Sequence, residues 1–243
     1  MLFFNQICPF CKIRNPNPTK IGGKVMTIFI GQIFPTISQE KFLALWRDFY
    51  FAVFSLRLGE NEFQSKYFKL EEDFPILVEH QLSLIKIWEK CRDSFPCYLY
   101  EGLFEGSLLD ETIHENSQRP IHLYLAVVSS NLEADFQFER TRIGELKTLG
   151  INFINFRERL LFELYYFWLR QKLVAELSPT VEGELELDGE ATKTFCLGTV
   201  TRTNLVPTVC RAPIGLSVSV ARLDQLKGSP ITTRKVKRFV EFS

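Results

Sequence analysis

Residues 156–177, FRERLLFELYYFWLRQKLVAEL, constrain the fold more than any other stretch. They contain no Pro or Gly, and Pro179 follows to close the helix they predict. Apolar side chains fall on nearly every face of that helix, so it must be covered all round rather than laid on a surface. Its densest part, LLFELYYFWL, carries Glu163 and is too short to cross a bilayer. The chain therefore has to supply other elements to surround it, and 243 residues are enough. Phenylalanine, at 23 copies, has a large apolar area and no polar atom to satisfy, so most of it belongs inside or at an interface.

Several surrounding elements are legible from spacing. Phe42, Leu45, Trp46, Phe49, Val53 and Leu56 recur at helical spacing and predict an amphipathic helix over 38–57. Thr36 with Gln39 matches a capping box, Ser38 is a further candidate cap, and Gly59 is the expected terminator. Phe51 and Phe54 lie off the stripe and imply cover on a second side. A second helix is expected over 74–92, with Asp73 as cap, Pro75 in the first turn, and Leu77, Leu84, Trp88 and Cys91 on one face. Strands are expected in MTIFIGQIF from Met26, at 97–104, and at 121–129, where IHLYLAVVS is β-rich and bounded by Pro120 and Asn131.

Beyond Pro179 the character changes. VEGELELDGE, residues 181–190, carries five acids and two glycines and reads as a linker. TKTFCLGTV, LVPTVCRA, IGLSVSVARL and VKRFVEF then read as four short strands of a small antiparallel sheet or barrel. The expected class is α+β, with a helical and mixed-sheet core at 26–178 and an acidic linker at 179–190. A C-terminal antiparallel β-rich basic module at 191–243 completes it. Residues 1–25, with four cations, no acid and several breakers, read as a basic leader, and Met26 is a conventional beginning after it. With no secretory pattern and scattered cysteines, the expected location is the cytoplasm, with reduced thiols and no membrane partner.

The formal charge is zero, but it is unevenly spread. Residues 60–115 hold thirteen acids against five cations, and residues 191–243 hold nine cations against two acids. Such separation either draws the segments together or offers a polyanion a landing face. The leading expectation is non-enzymatic binding of nucleic acid or another polyanion by Arg202, Arg211, Arg222, Arg234, Lys235, Lys237 and Arg238. In TTRKVKRF, strand alternation puts Arg234 and Lys237 on opposite faces, and likewise Lys235 and Arg238. A solvated, charged edge strand explains the same pattern without any ligand. Only Phe195, Phe239 and Phe242 are aromatic there, so contact would run along the phosphate backbone rather than through base stacking. The acids of 181–190 could also fold back and mask the basic strands.

Three further constellations bear on chemistry. Cys8 and Cys11, in CPFC, have the bite of half a zinc site, which makes zinc the one candidate cofactor. Cys91, Cys97, Cys196 and Cys210 are not spaced as a second pair, so His80, His114 or His122, or a second chain, would have to complete it. CPFCK also resembles the glutaredoxin active-site turn over five residues, which implies a thiol capping a helix, but Pro16 and Pro18 leave no room for a long one. Asp135 with Glu145-Leu-Lys147 imitates the carboxylate and Glu-x-Lys spacing of Mg²⁺-dependent nucleases, although GELKTLG predicts a helix rather than the strand that chemistry uses. His122 and Tyr124 share a face of the expected strand and could line a pocket. The alternative to polyanion binding is a structural or protein-interaction subunit, or a homo-oligomer, that buries surplus apolar surface of the Phe-rich helices. A metal-dependent nuclease is the third.

Overall fold

The computed structural model describes residues 38–59, 73–79, 81–99, 113–115, 122–129, 148, 150–177, 192–201, 205–212, 215–222 and 231–240. The fold is α+β.

Helix α1, Gln39–Phe54, starts at Ser38, whose hydroxyl accepts the Lys41 N–H at 3.2 Å. It closes at Ser55, which takes the left-handed conformation with φ 55°. The N–H groups of Ser55 and Leu56 then reach back to the carbonyls of Phe51 and Tyr50. This closure at Ser55 lies four residues before Gly59, so the glycine expected to end the helix is not its cap. The predicted stripe is inside, with Phe42, Trp46 and Phe49 essentially without exposure. Phe51 is 54% exposed, which corrects the expectation of cover on its side.

The expected helix at 74–92 is a strand followed by a shorter helix. β1, Asp73–Val78, precedes α2, Leu84–Ser94, which is capped by Ser83 through the Lys86 N–H. DFPILV is a short apolar run buried along almost its whole length, and periodicity cannot tell a buried strand from a buried helical turn. Pro75, taken as a first-turn signal, is tolerated because β1 is the edge of its sheet. Its carbonyl accepts the Trp46 indole N–H at 3.0 Å, and the Leu77 carbonyl accepts the Tyr50 hydroxyl at 2.7 Å.

The remaining elements are β2 (Cys97–Leu99), β3 (Ile113–Glu115), β4 (Tyr124–Ser129), α3 (Phe156–Leu177), β5 (Thr192–Phe195), β6 (Thr199–Thr201), β7 (Leu205–Ala212), β8 (Gly215–Arg222) and β9 (Lys237–Val240). They form a sheet in the order β1-β4-β9, a second in the order β2-β8-β7-β5, and the pair β3-β6. All neighbours are antiparallel except β2 and β8. Each sheet thus joins strands from before and after residues 179–190, and the expected division into a 26–178 core and a 191–243 module does not follow the sheets.

Helix α3 has the predicted bounds and the predicted place. It packs against α1, α2, β1 and β7, and residues 156–165 are all buried. Tyr165 stacks on Trp46 at 3.7 Å between centroids, and Phe42, Phe49 and Phe74 meet Tyr165 around that stack. Among the described residues no helix is long and apolar enough to cross a membrane.

Candidate functional site: two arginine–carboxylate centres on α3

Four charged residues lie in the first two turns of α3, namely Arg157, Glu158, Arg159 and Glu163, and all four are buried. Charge at such depth requires partners, since desolvation of an ion outweighs most single interactions. Those partners arrive from the C-terminal strands.

The first centre is built on Glu158. Asn155 caps the helix, its side-chain oxygen accepting the Glu158 N–H at 2.8 Å, while Glu158 Oε2 accepts the Asn155 N–H at 2.9 Å. This is the reciprocal arrangement of a capping box. The Phe156 N–H, another orphan of the helix start, donates to Thr199 Oγ1 at 2.9 Å. Gly198 makes that approach feasible, because a Cβ there would stand 2.4 Å from the Phe153 carbonyl oxygen. Glu158 also accepts from Tyr124 Oη at 3.0 Å, and from Arg238 through Nε at 2.6 Å and Nη2 at 3.0 Å. Arg238 Nη2 donates to the Phe153 carbonyl as well, at 2.9 Å. Burial alone would lower the pKa of Arg238; the Glu158 charge and hydrogen bonds outweigh it and hold the guanidinium above its ordinary value.

The second centre is built on Glu163, about one and a half turns further along the helix. Arg159, four residues before it, and Arg211 of β7 both form ion pairs with its carboxylate. Arg211 donates through Nε at 2.7 Å and through Nη2. The Arg159, Arg211 and Arg234 guanidiniums stand 5.2, 5.6 and 5.1 Å from the Phe162 ring centroid. Burial by itself would raise the Glu163 pKa; the charges of Arg159, Arg211 and Arg234 and the Arg211 hydrogen bond outweigh it and hold the carboxyl below its usual range.

One extended run delivers two of these arginines. Near residues 231–235 it lies beside β5, with the Phe195 N–H donating to the Thr232 carbonyl at 2.8 Å and Thr233 Oγ1 to the Phe195 carbonyl at 2.7 Å. It then passes residues 152–154, where the Ile154 N–H donates to the Arg234 carbonyl and the Val236 N–H to the Asn152 carbonyl. It ends as β9 against β4. Along this run Arg234 and Val236 are buried and the Arg238 side chain is 7% exposed, while Lys235 and Lys237 are exposed. The alternation expected from TTRKVKRF is present, and it puts the guanidiniums inside and the ammonium groups outside. A planar guanidinium is more weakly hydrated and pairs with a carboxylate through two parallel bonds, so it tolerates burial better than a lysine.

The seven cations expected to share one surface are thus divided. Arg211 and Arg238 pair with the α3 carboxylates, Arg234 is buried and acts on Glu163 through its charge while its Nη1 donates to the Ser129 carbonyl at 3.5 Å, Lys235, Lys237 and the strand-terminal Arg222 are exposed, and Arg202 lies outside the described residues. Cys8, Cys11, Asp135, Glu145, Lys147, His80 and the acidic 179–190 stretch also lie outside them. Among the described residues no three potential ligands group to hold a metal. Burial pushes the thiols of Cys97 and Cys196 up to about 12 and that of Cys91 well up, so all three are neutral at ordinary pH. His122 is exposed whereas Tyr124 is fully buried on Glu158, so the two line no common pocket. The strand begins only at Tyr124, and the alternation expected from residue 121 does not reach His122.

Glu158 and Glu163, which receive the arginines, are not among the site residues expected from the sequence. Two signals pointed to them: the Asn-x-x-Glu spacing of 155–158, and an Arg and Glu four apart in an otherwise apolar helix. Compared with protein-family models, with curated proteins and with solved structures, the chain has no significant match.

Proposed function

We propose that the protein is a non-enzymatic binding protein that holds a polyanion of the nucleic-acid kind against the outward face of the 231–240 run. The observation that supports this is the exposure of Lys235 and Lys237, two residues apart and therefore on one face of an extended segment. Lys193, exposed on β5, lies at the same end, since the Thr232 hydroxyl donates to its carbonyl. Arg222 is a fourth exposed cation of the strands. Hydrated ammonium groups on flexible stems suit contact with a phosphate backbone that carries no sequence information.

A titration of labelled duplex DNA at several salt concentrations tests it. With two to four phosphates neutralised, the log–log slope should be about −2 to −4. Replacing Lys235 and Lys237 by Gln should reduce its magnitude by about 2. A salt-independent response, or no binding at low salt, removes the proposal.

A protein-interaction role has an observation of its own in Phe51, 54% exposed on α1 beside a groove lined by Asp48, Ala52, Trp168, Gln171 and Lys172. Its test is the size of the particle in dilute solution. A concentration-dependent dimer lost on Phe51→Ser supports it, and a monomer at every concentration rules it out.

A further inference from the structure

The outer edge of β1 is occupied by side chains of α1. Among the described residues β1 pairs with β4 on one side only. Backbone groups of an antiparallel strand point alternately to its two sides, so Pro75, Leu77 and Glu79 present theirs to the same one. The Pro75 carbonyl accepts the Trp46 indole N–H at 3.0 Å, and the Leu77 carbonyl accepts the Tyr50 hydroxyl at 2.7 Å. The Glu79 N–H donates back to the same Tyr50 oxygen at 3.2 Å. Spacing and chemistry both match. Trp46 and Tyr50 are four residues apart, about 6 Å along a helix, and Pro75 and Leu77 are two apart, about 6.7 Å along a strand. An indole can only donate, and it meets Pro75, which has a carbonyl and no N–H. A phenol can donate and accept, and it serves both the Leu77 carbonyl and the Glu79 N–H, as a residue of a neighbouring strand would. Trp46 and Tyr50 have no exposure. Burial raises the pKa of the Tyr50 phenol, so it keeps the proton it donates.

We propose that α1 is an edge guard, in which Trp46 and Tyr50 take the place of a fourth strand beside β1 and keep that edge from pairing with β1 of a second copy of this chain. The guarded segment suits such pairing. DFPILV carries no charge after Asp73, and an uncovered apolar edge of this kind is a template for another strand. The same edge on two copies is self-complementary about a two-fold axis, with the two strands antiparallel. The guard involves neither the exposed lysines of the 231–240 run nor Phe51.

Sedimentation of the full chain across a range of concentrations, with hydrogen exchange at the β1 amides, tests it. Tyr50→Phe removes one hydroxyl and keeps the ring, and adding Trp46→Phe removes the indole donor. In dilute Tyr50→Phe the Glu79 amide, having lost its acceptor, should exchange about tenfold faster than in the wild type. At higher concentration the double variant should self-associate about tenfold more tightly than the wild type and regain protection at Glu79. If the double variant fails to fold, Tyr50→Phe alone carries both readouts. Unchanged Glu79 exchange in the dilute variant, association equal to that of the wild type, or association without protection at Glu79 overturns the proposal.

Discussion

Glu158 and Glu163 lie five residues apart on the same helix, both buried, yet they differ in how many arginines act on them. At Glu158 one carboxylate meets one arginine through two bonds, and its other capacity is taken by Tyr124 and by the Asn155 N–H. At Glu163 one carboxylate faces three guanidiniums. The first centre is closed and ties β9, β4 and the start of α3 together. The second gathers guanidiniums from α3, β7 and the 231–235 segment around one carboxylate and the Phe162 ring. The same pair of residue types, Arg and Glu, therefore makes a one-to-one latch in one place and a shared cluster in the other. The number of partners decides which, because a buried ion is stable only when its charge and its hydrogen bonds are both met.

The largest effect expected from breaking this contrast is at the latch. Glu158→Ala leaves Arg238 buried without its carboxylate and frees the Asn155 N–H, and should cost about 3–5 kcal/mol in urea unfolding. A loss below about 1 kcal/mol would mean the centre is not structural.

The Glu163 centre should announce itself through acid. A carboxyl held below its ordinary value of 4.5 binds fewer protons in the folded than in the unfolded chain. Its contribution is fully present above that unfolded value and is lost as pH falls through the lower folded one. Wild-type stability should thus decline on acidification below about pH 5, and Glu163→Gln should flatten that decline. An unchanged pH profile in the variant would show that Glu163 is not held ionised by its arginines.

Smaller effects sharpen the picture. Asn155→Ala removes the cap but not the Glu158–Arg238 pair, and should cost about 1 kcal/mol, read as a lower midpoint in thermal unfolding. Smallest is Lys235→Gln with Lys237→Gln, expected to change stability by less than about 0.5 kcal/mol because these side chains are exposed. A loss of several kcal/mol there would contradict the inward and outward division of the run.

Much of the architecture was legible. The α3 bounds, its central burial, and the α1 stripe of Phe42, Trp46 and Phe49 followed from apolar spacing. Misassignment concentrated at 73–78, where a short apolar run with a proline suits either a first helical turn or an edge strand. The site was less legible. The cations of TTRKVKRF were visible as a cluster, but its two faces look alike until a neighbour is known, and the acids that receive the arginines sit in a helix whose apolar character fixes its burial but not its polar partners.

The sequence by itself determined that residues 156–177 form a helix, and that Arg and Lys alternate across an extended tail, because both follow from local geometry with periods of 3.6 and 2. Only the tertiary structure decided which face of that tail is inside, and that Arg238 meets Glu158 while Arg211 meets Glu163. Those pairs join residues 80 and 48 positions apart. Their formation depends on how α3 and the strands pack, and no local period records it.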